Sequence, residues 1–267
     1  MNDFGGARRL FVRLAVLAIS APAGAAAPAP VNLSTPLGIT PGWQLLATQG
    51  PDVEDPGGNK APGALHLCIT RDGGKTCRPA LDDLLARGGG HDVFDTAHYL
   101  QVVRIIHPAR DRPLLWVQVA SLYSGNGDQV VGRTALAYDK AGDRFTAVYA
   151  KRTGHNNNQE VRYLDKGPLH GAIISAEPTS DAPFGFWITV DRLARDGRYA
   201  PVLRYRSGTH YGDGNPLAVI DSEMPEILRR LKLWRSGAPL PLPDGPCPKP
   251  HLVHGVLWCK PPAGAGN

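Results

Sequence analysis

Three polar segments contain the residue types that acid–base chemistry or ligand binding requires. The first reads TGHNNNQEVRY, in which His155 is followed by Asn156, Asn157 and Asn158. An imidazole can act as an acid, a base or a metal ligand, and amides offer paired hydrogen-bond donors and acceptors. Runs of asparagine also build turns, because their side chains bond the local backbone and tolerate left-handed conformations. We therefore expect these four residues either to bind a polar ligand or to form a structural turn.

A second polar segment, SGTHYGDGNPLAVIDSE, combines a glycine-rich loop with an acidic pair. Its polar side chains are His210, Tyr211, Asp213 and Asn215, followed by Asp221 and Glu223. His210, Asp213 and Glu223 are candidate catalytic residues, because an imidazole and carboxylates can share acid–base work. Tyr211 and Asn215 are candidate ligand contacts. The carboxylates could instead hold calcium together with loop carbonyls, or stabilise the N-terminus of a following helix through its dipole.

The third polar segment, SGNGDQ, is predicted to be a flexible connection, with metal binding as the alternative. Familiar catalytic signatures are missing from the sequence: it has no H-E-x-x-H, no G-x-S-x-G, no phosphate loop, no dinucleotide fingerprint and no EF-hand loop. We therefore assign no metal site and no cofactor, and keep calcium as the alternative. Loops at one end of a rigid sheet commonly carry binding groups, so the strands decide whether the three segments meet.

The segments between these loops have the composition and period of β-strands. Short runs rich in β-branched and aromatic residues recur between Gly, Asp, Asn and Pro. In FGFWITV, one face carries Phe184, Phe186, Ile188 and Val190. The run LLWVQVASLY is apolar on both faces and is predicted to lie centrally. Several runs contain arginines that either share an anion-binding surface or pair with acidic residues across strands: Arg104, Arg133, Arg162, Arg204 and Arg206.

Sequential strands with short links predict a mainly β fold built as an antiparallel meander. We expect it to form a sandwich, or a propeller-like or barrel-like domain, with one or two short helices. One helix is predicted from Pro79 to Gly88, with leucines along one side. A second is predicted over about 223–234, with Ser222 as its cap and Pro225 in its first turn.

A short motif supports the β assignment. In TRDGGKTC, the motif positions are Thr70, Asp72, Gly74 and Thr76, with Cys77 in the last place. The segment resembles the Asp-box hairpin, S/T-x-D-x-G-x-T-W, that recurs in sialidases and other β-propeller proteins. In those families the box is a structural turn away from the active site. The resemblance implies a β-hairpin here; a single copy carries neither a propeller nor sialidase activity.

The N-terminus has the features of an export signal. In ARRLFVR, Arg8 and Arg9 precede Phe11 and Arg13, and a short apolar run follows. This segment resembles a twin-arginine signal; a general secretion signal and a plain N-terminal helix are the alternatives. Residues 1–25 are predicted as the signal, with cleavage after Ala25. The mature protein is then expected to be periplasmic or secreted.

Charge and cysteines narrow the class of protein. The formal net charge of +5 falls to +3 on cleavage and is too small to indicate nucleic-acid binding. No later run is long and apolar enough to predict a transmembrane anchor. The cysteines form two local pairs, Cys68 with Cys77 and Cys247 with Cys259, which predicts two disulfides in an exported chain. A zinc site is the rival prediction, because two histidines lie within the second pair.

These observations together predict the organisation and the class of function. A Pro/Gly-rich extended arm is expected over 26–63 and a β-rich core over 64–235. A Pro-rich linker, a disulfide-closed hairpin and a disordered tail are expected over 236–267. We expect an exported binding or accessory domain of a bacterial envelope, with a small polar ligand or an envelope component as partner. The alternative is a hydrolase of an envelope glycan or ester that uses His155 or His210 with a loop carboxylate.

Overall fold

The structure is a computed structural model that describes residues 29–86, 92–154, 159–182 and 184–259. These residues form a mainly β fold with antiparallel sheets and two α-helices. The sheets are not closed into a barrel, and their arrangement is sandwich-like. The prediction of a mainly β, antiparallel fold is therefore confirmed, and the barrel-like alternative is wrong.

The N-terminal part of the chain contributes a three-stranded sheet. The elements of this part of the chain are β1 (Val31–Asn32), α1 (Ser34–Leu37), β2 (Gln44–Gln49), β3 (Val53–Glu54), β4 (Lys60–Ala61) and β5 (Leu65–Thr70). The sheet has the order β1–β2–β5, while β3 pairs with β4. Leu33, Trp43 and Leu45 are at most 2% exposed. Much of the segment predicted as an extended arm is therefore a layer of the core.

A four-stranded meander forms the middle layer. After a 3-10 helix (Val93–Asp95), its strands are β6 (Tyr99–Ala109), β7 (Arg112–Ala120), β8 (Val130–Asp139) and β9 (Arg144–Gly154), hydrogen-bonded in that order. Alternate residues of β7 point to opposite faces, as strand geometry requires. Leu115 and Val117 pack in the core shared with β2 and β5, whereas Leu114 and Trp116 pack on the other side. The run LLWVQVASLY is thus covered on both faces, as predicted.

A second four-stranded meander covers the other face of the middle sheet. Its strands are β10 (Glu160–Tyr163), β11 (Ile173–Pro178), β12 (Gly185–Leu193) and β13 (Tyr199–His210). Tyr163 packs against the middle sheet. On the outer face, Phe186, Ile188 and Val190 lie in one apolar cluster, as their alternation predicts. Phe184 is exposed, because it precedes the strand.

Helix α2 (Val219–Arg230) packs on that outer face, and the hairpin of β14 (His251–Val253) and β15 (Val256–Trp258) follows. The helix begins before the predicted start near residue 223. Its N-cap is Ala218 rather than Ser222, and no side-chain capping bond comes from that residue. Pro225 lies inside the helix instead of in its first turn. Among the described residues, no helix combines the length and the apolar character needed to cross a bilayer.

The helix predicted to start at Pro79 is absent from the described residues of that segment, which forms turns instead. The Arg78 N–H donates to the Ile69 carbonyl of β5, and the Ile69 N–H donates to the Pro79 carbonyl. Leu85 is fully buried in the core. These backbone groups are satisfied by hydrogen bonds to β5 and not by bonds within a helix. Tertiary contacts therefore determine the structure here, although the spacing of the leucines predicts a helix.

Two disulfides close the loops that the sequence predicts. Cys68 bonds to Cys77 next to β5, and Cys247 bonds to Cys259 around the terminal hairpin. All four cysteines are therefore paired. The zinc alternative is wrong, because a metal would require free thiolates. Two disulfides are compatible with an oxidising compartment.

Candidate ligand-binding cleft

Four residues of the predicted site belong to the segment that joins two strands. His155, Asn156, Asn157 and Asn158 lie outside the described residues, between β9 and β10. At the flanks of this segment, the Gly154 N–H donates to the Gln159 side-chain oxygen at 3.2 Å. A ligand-binding role for the four residues stays a prediction.

The loop after β13 is organised by its own polar side chains. Asp213 accepts hydrogen bonds from the backbone N–H groups of His210 and Asn215, at 3.1 and 2.8 Å. Aspartates commonly stabilise turns in this way. The Asn215 amide donates to the Leu257 carbonyl at 2.9 Å, which fastens the loop to β15. Tyr211 is 59% exposed and leaves the loop toward solvent.

Glu223 is fully buried between β13 and α2. One carboxylate oxygen accepts hydrogen bonds from the Thr209 N–H and hydroxyl, at 2.8 and 2.7 Å. The other accepts the Tyr205 hydroxyl at 2.9 Å. Burial, and then the charge of Glu223, raise the pKa of Tyr205. These contacts are all internal, so the carboxylate holds the helix on the sheet.

The predicted catalytic residues do not form one constellation. Within the described residues, no hydrogen bond joins the His210 imidazole to Asp213 or Glu223. In the same ranges, no three His, Cys, Asp or Glu side chains are grouped as a metal site. The SGNGDQ segment closes on itself, since the Asn126 amide donates to the Asp128 carboxylate at 2.8 Å.

The TRDGGKTC segment forms the turn that its resemblance to an Asp box implies. Asp72 accepts hydrogen bonds from the Thr70 hydroxyl at 2.7 Å and from the Thr76 N–H at 3.0 Å. The Thr70 hydroxyl and then the Thr76 N–H lower the pKa of Asp72 to about 2. Cys77, in the place of the aromatic residue, bonds to Cys68 across the hairpin. The motif is therefore a structural turn.

A cleft of about 820 Å³ lies between the β10–β11 loop, the start of α2 and the proline-rich segment after that helix. Its lining is mixed: apolar side chains such as Leu164, Leu169 and Leu242 lie beside charged residues, which are Arg162, Asp165, Lys166, Asp221 and Asp244. One wall is formed by residues 241–246, part of the segment that the sequence predicts as a stiff linker. The volume lies within the range of small-molecule pockets.

A charged cluster lies beside this cleft and contributes Arg162 and Asp221 to its wall. The Arg162 guanidinium of β10 donates to both carboxylate oxygens of Asp221 in α2, and it contacts Glu160 at 3.1 Å. Glu160 accepts the backbone N–H of Ile220, in the first turn of the helix. The Glu160 and Asp221 side chains are only 22% and 20% exposed. One guanidinium therefore balances two carboxylates at a place that solvent partly reaches.

The cluster shifts the protonation equilibria of its members. Burial raises the pKa of Glu160, although the charge of Arg162 and the Ile220 N–H act in the opposite direction. Burial also disfavours the charged form of Arg162. Its hydrogen bond to Asp221 and the charge of Glu160 outweigh that effect, so the pKa of Arg162 is raised. Arg162 stays charged, and Glu160 is more easily protonated than an ordinary glutamate.

The proline-rich wall is held from both ends. Before it, the Trp234 indole N–H donates to the Pro239 carbonyl at 2.8 Å. After it comes Cys247, which the disulfide fixes to the terminal hairpin. Lys166 and Asp244 also form an ion pair at 2.8 Å between opposite walls, with both side chains at least 75% exposed. Exposed pairs contribute little, so the anchored ends position this wall.

The arginines within strands mostly form ion pairs, which is the second of the two predicted alternatives. Three of the five have carboxylate partners: Arg104 with Asp165, Arg162 with Asp221 and Arg206 with Asp181. Arg133 instead donates to Gln118 and Thr153, and Arg204 lies over the Trp187 ring at 4.7 Å. The five side chains do not form a common anion-binding surface.

The sequence pattern indicated Arg162 only as a possible member of an arginine surface or an ion pair, and it did not indicate Glu160 as a site residue. The signal available was their spacing, because residues two apart on a strand share a face. A glutamate and an arginine on one face of a short strand indicate a charged contact. The partner residue, Asp221, is 59 positions away from Arg162, and strand patterning carries no information about it.

Comparison with known proteins adds no assignment. The chain matches no protein-family model, no curated protein and no solved structure. The functional conclusion therefore depends on the geometry and chemistry of the cleft.

Proposed function

We propose that this protein is an exported binding or accessory protein of a bacterial envelope whose ligand occupies the cleft beside α2. The observation that carries the proposal is a cleft of about 820 Å³ whose lining combines leucine and proline side chains with Arg162 and Asp221 of the Glu160–Arg162–Asp221 cluster. Pockets for small ligands are mostly apolar and contain a few convergent polar groups that fix orientation. This cleft offers apolar side chains together with charged groups that can fix orientation.

The lining supports an amphipathic ligand. Leucine and proline side chains offer contact to an apolar body, and the charged cluster offers hydrogen bonds to a head group. Because three aspartates (Asp165, Asp221 and Asp244) line the cleft against two cationic side chains (Arg162 and Lys166), a head that donates hydrogen bonds or carries positive charge is favoured. The ligand is therefore less polar than the one expected from the loop residues alone.

Export is supported by the two disulfides and by the twin-arginine-like segment near the N-terminus, which lies outside the described residues. The proposal requires the mature chain to begin at Ala26. Mass spectrometry of the protein recovered from the periplasm measures that end directly, and an uncleaved chain in the cytoplasm would contradict it.

The cleft is tested with N-phenyl-1-naphthylamine, an apolar dye that fluoresces on leaving water. We expect saturable binding to the mature protein and loss of binding in Leu242→Asp, which places a charge in the lining. Leu242 is 52% exposed, so the variant should fold. The matched control is Val202→Asp, at a position on β13 that is 50% exposed and outside the cleft lining.

Competition then tests the charge preference. Dodecyltrimethylammonium should displace the dye at lower concentration than dodecyl sulfate, and Asp221→Asn should reduce that difference. Equal dye binding by Leu242→Asp and Val202→Asp would refute the cleft as the binding site. A stronger effect of dodecyl sulfate would refute the proposed head group.

The hydrolase alternative gains no comparable support from the described residues. Glu223 is fully buried and bonded to Thr209 and Tyr205, so it is withdrawn from any substrate. Asp213 is occupied by the backbone of its own turn. The binding function is the one that the geometry favours.

A further inference from the structure

We propose a second site on this protein, which binds the phosphate group of a ligand where the β6–β7, β10–β11 and β12–β13 connections meet. A small cleft of about 360 Å³ lies at this place. Its lining includes three arginines, Arg112, Arg192 and Arg195, and the imidazole of His170. This site is separate from the cleft beside α2 and does not depend on the function proposed for it.

The arginines here differ from three of the five strand arginines described above. Arg104, Arg162 and Arg206 have carboxylate partners within 4 Å. Among the described residues, no ion pair involves Arg112, Arg192 or Arg195, so their charges are not balanced locally. The two turns with the strand ends beside them, residues 110–112 and 192–198, contain five arginines and two aspartates: Arg110, Asp111, Arg112, Arg192, Arg195, Asp196 and Arg198.

The two aspartates of these turns do not neutralise the cleft. Both are exposed, and neither lines it. The Asp196 carboxylate accepts a hydrogen bond from the Arg198 backbone N–H at 3.0 Å. This bond orients the carboxylate toward the turn that contains Asp196. The local charge therefore remains positive, and it attracts an anion from solution.

Arg192 is held in a fixed position at this site. One of its terminal nitrogens donates to the Pro168 carbonyl at 3.0 Å. Its Nε is buried and has no hydrogen-bond partner among the described residues. The donors open to a ligand are the other terminal N–H groups of Arg192, which have no hydrogen-bond partner among the described residues, and such donors suit an incoming oxyanion.

The connections around the cleft are locked together. Gly171 has φ of +79°, and a Cβ there would lie 2.5 Å from the Pro108 carbonyl oxygen. Only glycine lets the β10–β11 loop approach the β6–β7 turn so closely. The Tyr199 hydroxyl donates to the Gly171 carbonyl at 2.9 Å, which ties the start of β13 to the same loop. The Arg112 guanidinium reaches toward the β12–β13 turn, to within 3.9 Å of where a Cβ of Gly197 would lie.

Guanidinium groups on several sides of a small cleft favour a compact oxyanion. Each can donate two parallel hydrogen bonds to a phosphate, and this fork geometry distinguishes arginine from lysine. A phosphate group fits a cleft of this size and would satisfy donors from more than one strand. The group could belong to a soluble phosphate compound or to a phospholipid head group, and the test separates the two sources.

The experiment titrates the mature protein with inorganic phosphate by isothermal calorimetry at low ionic strength. We expect saturable binding with one phosphate per chain, weakened about tenfold or more in the double variant Arg112→Gln/Arg195→Gln. Both residues are exposed, so the variant should keep the fold. The matched control is Arg78→Gln/Arg235→Gln, which removes the same charge from exposed positions outside this cleft and should bind like the wild type.

Vesicles identify the source of the phosphate group. If the source is a head group, the protein will sediment with phosphatidylglycerol vesicles, and inorganic phosphate or the Arg112→Gln/Arg195→Gln change will release it. Binding of inorganic phosphate without sedimentation supports a soluble phosphate compound. Absence of saturable phosphate binding, or equal weakening in both double variants, would overturn the proposal.

Discussion

The Glu223 carboxylate joins two elements from a fully buried position. It receives hydrogen bonds from Thr209 and Tyr205 of β13, while its own backbone belongs to α2. Removing either this carboxylate or one of its hydrogen-bond partners destabilises the fold. The polar groups that remain are buried, and they then have neither a protein partner nor water to bond.

Glu223→Ala is therefore expected to lower the free energy of unfolding by roughly 2–5 kcal/mol. Glu223→Gln keeps part of the hydrogen bonding and should cost less. His210→Ala, at a half-buried position, should change stability by no more than about 0.5 kcal/mol. Denaturant unfolding of the three variants measures these differences, and a stable Glu223→Ala would mean that the carboxylate does not hold the helix.

Asp72 offers a test in which the sign of a pH effect is defined. Its pKa is lowered to about 2 by the Thr70 hydroxyl and the Thr76 N–H. The stabilisation from a depressed carboxyl pKa is present above the ordinary value near 3.8 and is lost as the pH falls through about 2. Asp72→Asn should thus be less stable than the wild type at neutral pH, and the difference should shrink in acid.

The measurement is thermal unfolding between pH 2 and pH 7. Asp111→Asn removes another exposed aspartate, whose carboxylate has no hydrogen bond within the described residues, and it should follow the wild-type profile. A constant difference between Asp72→Asn and the wild type across this range would contradict the proposed hydrogen bonding.

At the scale of elements, the N-terminus of α2 depends on a residue from another strand. Ala218 provides no side-chain cap, and the Ile220 N–H is instead accepted by Glu160 of β10. Asp221 in the first turn adds a favourable interaction with the helix dipole while it pairs with Arg162. The helix start and the charged wall of the cleft are therefore one structure.

Glu160→Ala is expected to cost about 1 kcal/mol more than Glu160→Gln at neutral pH, because glutamine keeps an oxygen for the Ile220 N–H. The pH dependence separates charge from capping. Since the pKa of Glu160 is raised in the fold, the stability from this group falls as the pH rises from its ordinary value through the raised one. Glu160→Gln should abolish that slope in urea unfolding curves; an unchanged slope would exclude Glu160 as its source.

At the scale of the whole molecule, the two disulfides stabilise different parts of the chain. Cys68–Cys77 closes the Asp-box-like turn beside β5, far along the chain from the cleft. Cys247–Cys259 encloses the terminal hairpin, whose Leu257 is fully buried. This second bond also anchors the proline-rich wall of the cleft, which ends just before Cys247.

We expect each disulfide to contribute roughly 3 kcal/mol to stability by restricting the unfolded chain. Only the double variant Cys247→Ser/Cys259→Ser should also weaken binding of N-phenyl-1-naphthylamine, because it releases one wall of the cleft. Cys68→Ser/Cys77→Ser is the matched control. Equal dye binding by both variants, at a temperature where both are folded, would show that the wall is positioned without the second bond.

Local patterns in the sequence determined much of the fold. The alternation in β12 and the two apolar faces of β7 follow directly from the two-residue period of a strand, so their burial was predictable. The disulfides were predictable because short loops favour pairing of neighbouring cysteines. The Asp-box resemblance identified a turn whose bonds join residues at most four positions apart.

Only the tertiary structure decided the start of α2, the absence of a helix after Pro79 and the composition of the cleft. Each depends on a partner that is distant in sequence: Glu160 lies 60 positions from Ile220, and Arg162 lies 59 from Asp221. Strand register and the stacking of sheets bring such groups together, whereas local periodicity defines only the face on which a residue lies. For that reason the sequence indicated strands, turns and disulfides, and the fold alone placed an arginine between two carboxylates beside a helix.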